Sequence, residues 1–199
     1  MPYPSKTNPE AIRAAAIDLL EREGEAALTL RRLAGDLGLV PNALYRYFAS
    51  REVLMAAVAD QVARRLITAI REDLSSRGEE AGVGGLPPVE RVRALAEVYA
   101  AYAEAHPALY ETLTADRSEA EAALPKPLGH DLLWELVMQT LEPLTGCKRA
   151  PAVAVTLWGL LHGLWSLERA RLLKGEKPSD VASFGVAILL DGLSLSRHP

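Results

Sequence analysis

Leu28-Thr-Leu-Arg-Arg-Leu-Ala-Gly-Asp-Leu-Gly-Leu-Val-Pro-Asn-Ala-Leu-Tyr-Arg-Tyr-Phe-Ala-Ser-Arg-Glu-Val-Leu54 is the stretch whose spacing decides the fold. A helix starting at Thr29 would bury Leu30, Leu33, Ala34 and Leu37, and a second, short one would span about Pro41 to Phe48. Two short helices joined by a tight turn cross closely, so the residue at the crossing must be small, and Ala34 meets that need. At Gly38 the chain must turn sharply, often at positive φ, which glycine does without steric cost. Leu39 and Leu44 then anchor the second helix on the first. Ala, Gly and Leu at these intervals describe a helix-turn-helix, whose second helix enters the DNA major groove. Alone, the Ala-x-x-x-Gly spacing also suits an ordinary helical hairpin.

Outward from this stretch the chain reads as helices throughout. Asn8-Pro9-Glu10 is a helix start, with a capping side chain, Pro at the first position and an acid near the positive end of the dipole. Ile12, Ala16, Leu19 and Leu20 follow at helical spacing, and Gly24 stops the run. Ser50 caps a fourth helix that carries Val53, Leu54, Ala57, Val58, Gln61, Val62 and Leu66. Gly and Pro crowd into residues 78–88, which marks a loop and a domain-scale break. Further helices are expected over 89–105, 107–114, 127–143, 151–174 and 179–196, most of them opened by a proline. No alternating apolar run of strand type and no internal repeat is present. The expected fold is all-α, with a three-helix, helix-turn-helix DNA-binding domain over residues 1–50 and a second helical domain over 51–199.

Composition narrows the class. With 49% apolar and 24% charged residues, the 199-residue chain suits a packed globular protein, not a disordered tail, a collagen or a disulfide scaffold. The single Cys147 has no internal disulfide partner and excludes a thiolate metal cluster, which fits a reducing compartment. The N-terminus lacks the apolar core of a signal peptide, and a cytoplasmic protein is expected. Ala150 to Leu167 is uncharged and reaches the lower limit of a membrane span. Its Pro, Gly and His content, and the Glu168-Arg169 that follow, fit a helix buried on most faces within an assembly better, so no membrane partner is expected. The total charge of −4 hides an asymmetry. Arg31, Arg32, Arg46 and Arg51 against Asp36 and Glu52 give residues 28–55 a net +2, leaving −6 for the rest. A small basic region on an acidic body still binds DNA through its local field, although a solvated helix face explains so short an excess equally well.

Leu44-Tyr-Arg-Tyr-Phe48 followed by Ser50-Arg-Glu-x-Leu54 resembles the TetR family of transcriptional regulators. The resemblance covers residues 8–66, with its specific motifs between Thr29 and Leu54. Tyr99-Ala-Ala-Tyr102 through His106-Pro107 to Tyr110, with Leu157-Trp158-Gly-Leu-Leu-His162-Gly163-Leu164, is similar to the C-terminal domain subtype named for its W…HG signature. The family relation implies three DNA-binding helices, a fourth that links them to the body, and a homodimer on a pseudo-palindromic operator. It also implies a ligand-responsive regulator, most often a repressor.

Within that frame, Thr29 caps the second helix and its hydroxyl is also placed to bond a phosphate. Arg31 matches a position that contacts bases in the family, where a guanidinium spans a guanine edge. Arg32, one position round, is a phosphate contact or simply solvated. Pro41, Asn42 and Ala43 open the groove-facing helix; Asn42 suits adenine, and Ala43 offers a methyl contact to thymine. Tyr45, Tyr47 and Arg51 match positions that touch the DNA backbone, with core packing an equal reading for Tyr45. Val40 and Pro41 stand where many members carry polar residues, so DNA shape is expected to supply part of the readout.

The rest of the chain has no H-E-x-x-H, no phosphate loop and no Gly-x-Ser-x-Gly, so neither catalysis, metal nor cofactor is expected. Trp158, His162 and Trp165 share a helix face, and with Tyr99, Tyr102, His106, Tyr110, Trp134 and Met138 they are candidates to line a cavity for a small, mostly apolar effector. Ordinary core packing is the alternative for each. Ala152, Thr156, Gly159, Gly163, Ser166 and Ala170 form a smooth stripe that lets another helix approach. Leu189, Leu193 and Ser196, with Ala182, Gly185 and Val186, are expected to complete a four-helix dimer interface. The competing readings are a helical-bundle carrier or enzyme without DNA binding, and an interaction module that has lost DNA binding.

Overall fold

The structure, a computed structural model, describes residues 7–80 and 85–195. The expectations for the extreme N-terminus, for the middle of the 78–88 loop and for Ser196 lie outside the described residues. Ten α-helices and one 3-10 turn make up the described chain, with no strand among the described residues. They are α1 (Pro9–Glu23), a 3-10 turn (Glu25–Ala27), α2 (Leu30–Asp36), α3 (Pro41–Leu44), α4 (Arg51–Glu80), α5 (Pro88–Ala105), α6 (Pro107–Thr114), α7 (Ser118–Glu121), α8 (Gly129–Thr145), α9 (Ala150–Arg169) and α10 (Pro178–Leu195).

The helix starts follow from local chemistry. Asn8 is extended at the N-cap of α1, and its side chain accepts the Ala11 N–H at 2.8 Å, with Pro9 at N1. Ser50 accepts the Val53 N–H at 3.2 Å and opens α4. The helix ends departed more often from expectation. α4 runs through Gly78 to Glu80, and α8 continues past Pro143 to Thr145, where Gly146 at φ 76° stops it. α9 ends at Arg169, five residues early. The Arg171 N–H bonds the Glu168 carbonyl at 2.8 Å and the Leu172 N–H bonds the Leu167 carbonyl at 2.9 Å, with Arg171 at φ 57°. That is a Schellman ending built on an arginine where glycine is usual. The one-turn α7 had no counterpart in the sequence reading.

Contacts divide the chain into two compact units. One joins the residues up to Arg64 with His106–Asp131; the other joins Arg65–Ala105 with Leu132 onward. The division therefore falls inside α4 and α8 and at the α5–α6 junction, not in the glycine-rich loop. In the first unit α1 packs on α2, on the 3-10 turn and on α6, and α2 packs on α3. Ile12, Ile17, Leu19, Leu20, Leu33, Leu44, Leu54, Met55 and Leu109 are fully buried there, each adding about 1.5–3 kcal/mol of transfer free energy. Leu37, expected among them, is only half-buried. Gly129 lies so close to α4 that a Cβ would sit 2.5 Å from the Asp60 carbonyl oxygen. Asp60 accepts the Gly129 N–H and pairs with Arg64, which also donates to the Pro127 carbonyl at 2.7 Å.

In the second unit α10 packs on α5 and α9, and α5 packs on α9. A Cβ on Gly185 would meet Leu160 Cδ2 at 2.9 Å, so this glycine lets α10 approach α9 within the chain. α9 is long and apolar enough to cross a membrane by length and composition. Within the protomer 39% of its apolar window is buried.

Candidate nucleic-acid interface

Thr29 has the extended backbone of an N-cap, and its Oγ1 accepts the Arg32 N–H at 3.1 Å. α2 closes with the Gly38 N–H on the Gly35 carbonyl at 3.0 Å and the Leu39 N–H on the Ala34 carbonyl at 2.8 Å. Gly38 sits at φ 66°, the left-handed conformation anticipated for it. Pro41 then occupies the first turn of α3, which is a single turn ending at Leu44 rather than a helix to Phe48. The N-cap, Val40, supplies no side-chain hydrogen bond, and the Tyr47 and Phe48 N–H groups both fold back on the Leu44 carbonyl at 2.9 Å.

Leu44 and Phe48 hold α3 to the core. Around them Arg31, Val40, Pro41, Asn42, Tyr45 and Arg46 are exposed, and Ala43 is half-buried. Val40 is 68% and Tyr45 52% exposed, which leaves no core-packing role for Tyr45.

The arginines divide sharply. Arg31 and Arg46 form no ion pair among the described residues, so each presents a free charge. Arg32 instead bonds Glu23 at 2.8 Å and Asp36 at 3.1 Å, and the hydrogen bond to Asp36, then that to Glu23, pushes its pKa further up. Arg51 donates through Nε to the Leu28 carbonyl at 2.8 Å and through Nη2 to the Glu25 carbonyl at 3.0 Å. Its guanidinium thus ties the start of α4 to the chain entering α2. The Tyr47 hydroxyl similarly donates to the Thr7 carbonyl at 3.0 Å. Arg32, Tyr47 and Arg51 thus each have a partner within the chain. Nor is the α4 N-terminus vacant. Its own backbone N–H and the Ser50 side chain hold the Glu52 carboxyl below the ordinary carboxylate range.

The expected effector residues fall in both compact units. His106 caps α6 in the first unit, with Nδ1 2.6 Å from Glu21 of α1, and Tyr110 is buried in the same unit. Tyr99, Tyr102, Trp134, Met138, Trp158, His162 and Trp165 belong to the second. There Tyr99 is buried, Trp134 and Trp158 are exposed, and the Trp158 and His162 rings lie 6.0 Å apart. A cavity of about 20 Å³ between Arg93 and Glu97 of α5 and Ala182 and Val186 of α10 touches none of the nine.

The smooth stripe fares differently. Thr156, Gly159, Ser166 and Ala170 are exposed and Gly163 is half-buried, and a Cβ on either glycine meets nothing within 4 Å. On α10, however, Leu193, Ala182 and Val186 are buried in the protomer and Leu189 half-buried. Phe184 (69%) and Ile188 (56%) are the apolar side chains left outside, beside Val155 of α9 at 55%. Sequence reading missed both, because α10 carries two apolar rows one residue apart and only packing tells which row faces inward.

Two family patterns match. Residues 12–58 fit the tetR family of bacterial regulatory proteins, and residues 92–189 fit a tetracyclin repressor-like C-terminal domain. An HTH-type transcriptional regulator from the dhlA 5′ region of Xanthobacter autotrophicus is 29% identical over 160 residues, 74% of this chain and 72% of that protein. Another, from Mycobacterium tuberculosis, is 29% identical over 170 residues, 83% of this chain and 72% of the relative. Both are described as regulators of transcription, not enzymes. Among solved structures, BioQ bound to its double-stranded DNA operator superposes with a TM-score of 0.68 at 24% identity, over 95% of this chain and 99% of that one. With its head and its C-terminal region each matched to this one group, the chain belongs to the TetR family of transcription regulators.

Proposed function

We propose that the protein is a cytoplasmic, homodimeric repressor that leaves its operator when a small, mostly apolar effector binds. One observation carries the DNA half of this reading. The α2–α3 turn exposes a ridge of Arg31, Asn42, Tyr45 and Arg46 around Val40 and Pro41, while the neighbouring cations are held by intramolecular partners. Arg31 is set to span a guanine edge and Asn42 an adenine, and Arg46 neutralises a phosphate. That BioQ was solved on an operator supports the same use of this fold.

The dimer half rests on the apolar side chains that α9 and α10 leave uncovered, Val155, Phe184 and Ile188, with Gly159 exposed on α9. Two-fold pairing of that face buries it and presents two heads to two half-sites. The Trp158–His162 pair offers an aromatic surface and a polar group for the effector. An effector acts by preferring the relaxed state over the DNA-competent one, and about 1–3 kcal/mol of such preference changes operator affinity roughly 5–150-fold.

The test is binding of the purified protein to a duplex selected from a random library, followed by salt titration. Arg31 and Arg46 bring about two unpaired cations per head into the field of the DNA, so a dimer releases about four counterions and should show a log–log slope of roughly −4. A slope near zero, or no selected sequence at all, removes the DNA reading and leaves the carrier.

A further inference from the structure

The chain entering α2 is gripped from two sides. Glu25, at the start of the 3-10 turn, receives Arg51 Nη2 on Oε1 at 3.3 Å and Arg117 Nη2 on Oε2 at 3.4 Å. Arg51 also holds the Glu25 and Leu28 carbonyls, the last of which immediately precedes the Thr29 cap. Arg117 comes from far along the sequence, between α6 and α7. Its backbone is fixed by Asp116, whose Oδ1 accepts both the Ser118 N–H at 3.1 Å and the Ser118 hydroxyl at 2.9 Å.

The Arg117 side chain is only 11% exposed, and its Nε has no hydrogen-bond partner among the described residues. Burying a guanidinium so deeply is costly, and it is retained only against a charge that needs it. Among the described residues the carboxylate paired with it is Glu25. We infer that Arg117 is a positioning residue for DNA recognition, acting through Glu25 and Arg51 to fix where α2 begins, and through α2 where Arg31 and α3 are presented. This inference rests on the α2–α3 ridge being the DNA-reading surface, and it adds that a segment outside the helix-turn-helix sets the ridge's placement.

Specific recognition depends on angstrom-level placement of base-contacting groups, whereas non-specific binding depends on charge alone. A displaced α2 should therefore lose discrimination while keeping its phosphate contacts. The experiment compares parent, Arg117→Met, Glu25→Gln and the double variant by fluorescence anisotropy, on the library-selected duplex and on a scrambled duplex of equal length across a salt series. Thermal unfolding of each confirms that it is folded at the assay temperature.

Arg117→Met is expected to lower affinity for the selected duplex about tenfold. Affinity for the scrambled duplex and the salt slope should stay the same, and the double variant should lose no more than the worse single. Arg117→Lys, which keeps the charge, should recover most of the loss, and Glu25→Gln, expected to show the same selective loss, takes over the comparison if the Met variant does not fold. A lower melting temperature with full discrimination would make Arg117 merely structural and overturn the inference. Equal loss on both duplexes with a shallower salt slope would make it a direct phosphate contact and overturn it as well. Should the parent itself fail to discriminate the two duplexes, the DNA reading falls first and takes this one with it.

Discussion

On α2 and α3 the groups turned to solvent are Arg31, Asn42, Tyr45 and Arg46, set around Val40 and Pro41. On α9 and α10 they are Val155, Thr156, Gly159, Phe184 and Ile188. The first surface attracts by field, which salt screens, and the second by the area it removes from water, which salt does not weaken. With the two surfaces used as proposed, DNA is released as ionic strength rises while the subunits stay paired. Raising salt from 50 to 200 mM should weaken operator binding by a few hundred-fold at a slope of about −4, with no change in sedimentation as a dimer.

The comparison can be broken most completely from the apolar side. Phe184→Asp with Ile188→Asp places two charges on the face proposed to pair, and Gly159→Leu adds bulk where the protomer itself has room. Each should yield monomer by analytical ultracentrifugation, and the double Asp variant should lower operator affinity more than a hundredfold. A dimer that survives both locates pairing elsewhere. From the charged side, Arg31→Ala should cost about 1–3 kcal/mol per half-site and relax preference at one base pair, read by a base-substitution series.

Arg51→Ala sharpens the contrast between presented and committed cations. Losing its hydrogen bonds to Leu28 and Glu25 should lower stability by about 1–3 kcal/mol in urea unfolding, with the salt slope of DNA binding unchanged. A slope reduced by about two per dimer would return Arg51 to the phosphate backbone. Smaller still is Arg171→Gly, which relieves a left-handed arginine and should raise stability by about 0.5–1 kcal/mol. Glu52 gives the slightest effect. Its folded-state pKa is depressed, so its contribution is present above the ordinary carboxylate range and disappears as pH falls through the lower folded value. Glu52→Gln should therefore flatten the pH dependence of stability across the carboxylate range, lower stability by a small constant amount at neutral pH, and leave the slope between about pH 7 and pH 9 unchanged.

What the sequence made legible was whatever local chemistry decides by itself. Asn8-Pro9 and Thr29 announce helix starts because their side chains satisfy nearby N–H groups, and Gly38 announces a turn because a side chain there is strained. The same turn at Arg171 went unread, since an arginine gives no such sign, and α9 was extended past it. The partners of Arg32, Arg51 and Tyr47 were hidden for another reason. A guanidinium or phenol is recognisable as a donor from its type alone, but whether it faces DNA or a carbonyl of its own chain depends on long-range packing. Family resemblance supplied positions for these side chains, and the structure shows them already engaged. For α10 the pattern held two apolar rows, and choosing the outward one required knowing where α5 and α9 lie.

Gly129 against Asp60, and α6 against α1, have a consequence for how the molecule is made. The first compact unit is discontinuous: it needs residues 106–131 to cover α1 and to seat the start of α8 on α4. As the chain leaves the ribosome, the helix-turn-helix emerges well before residues 106–131, which complete its surroundings. Closing those contacts over so long an intervening stretch raises contact order and slows the final step of folding. An excised head ending at Arg64 would expose the α1 surface that α6 covers, so the head is built jointly with residues 106–131 and is not a detachable module.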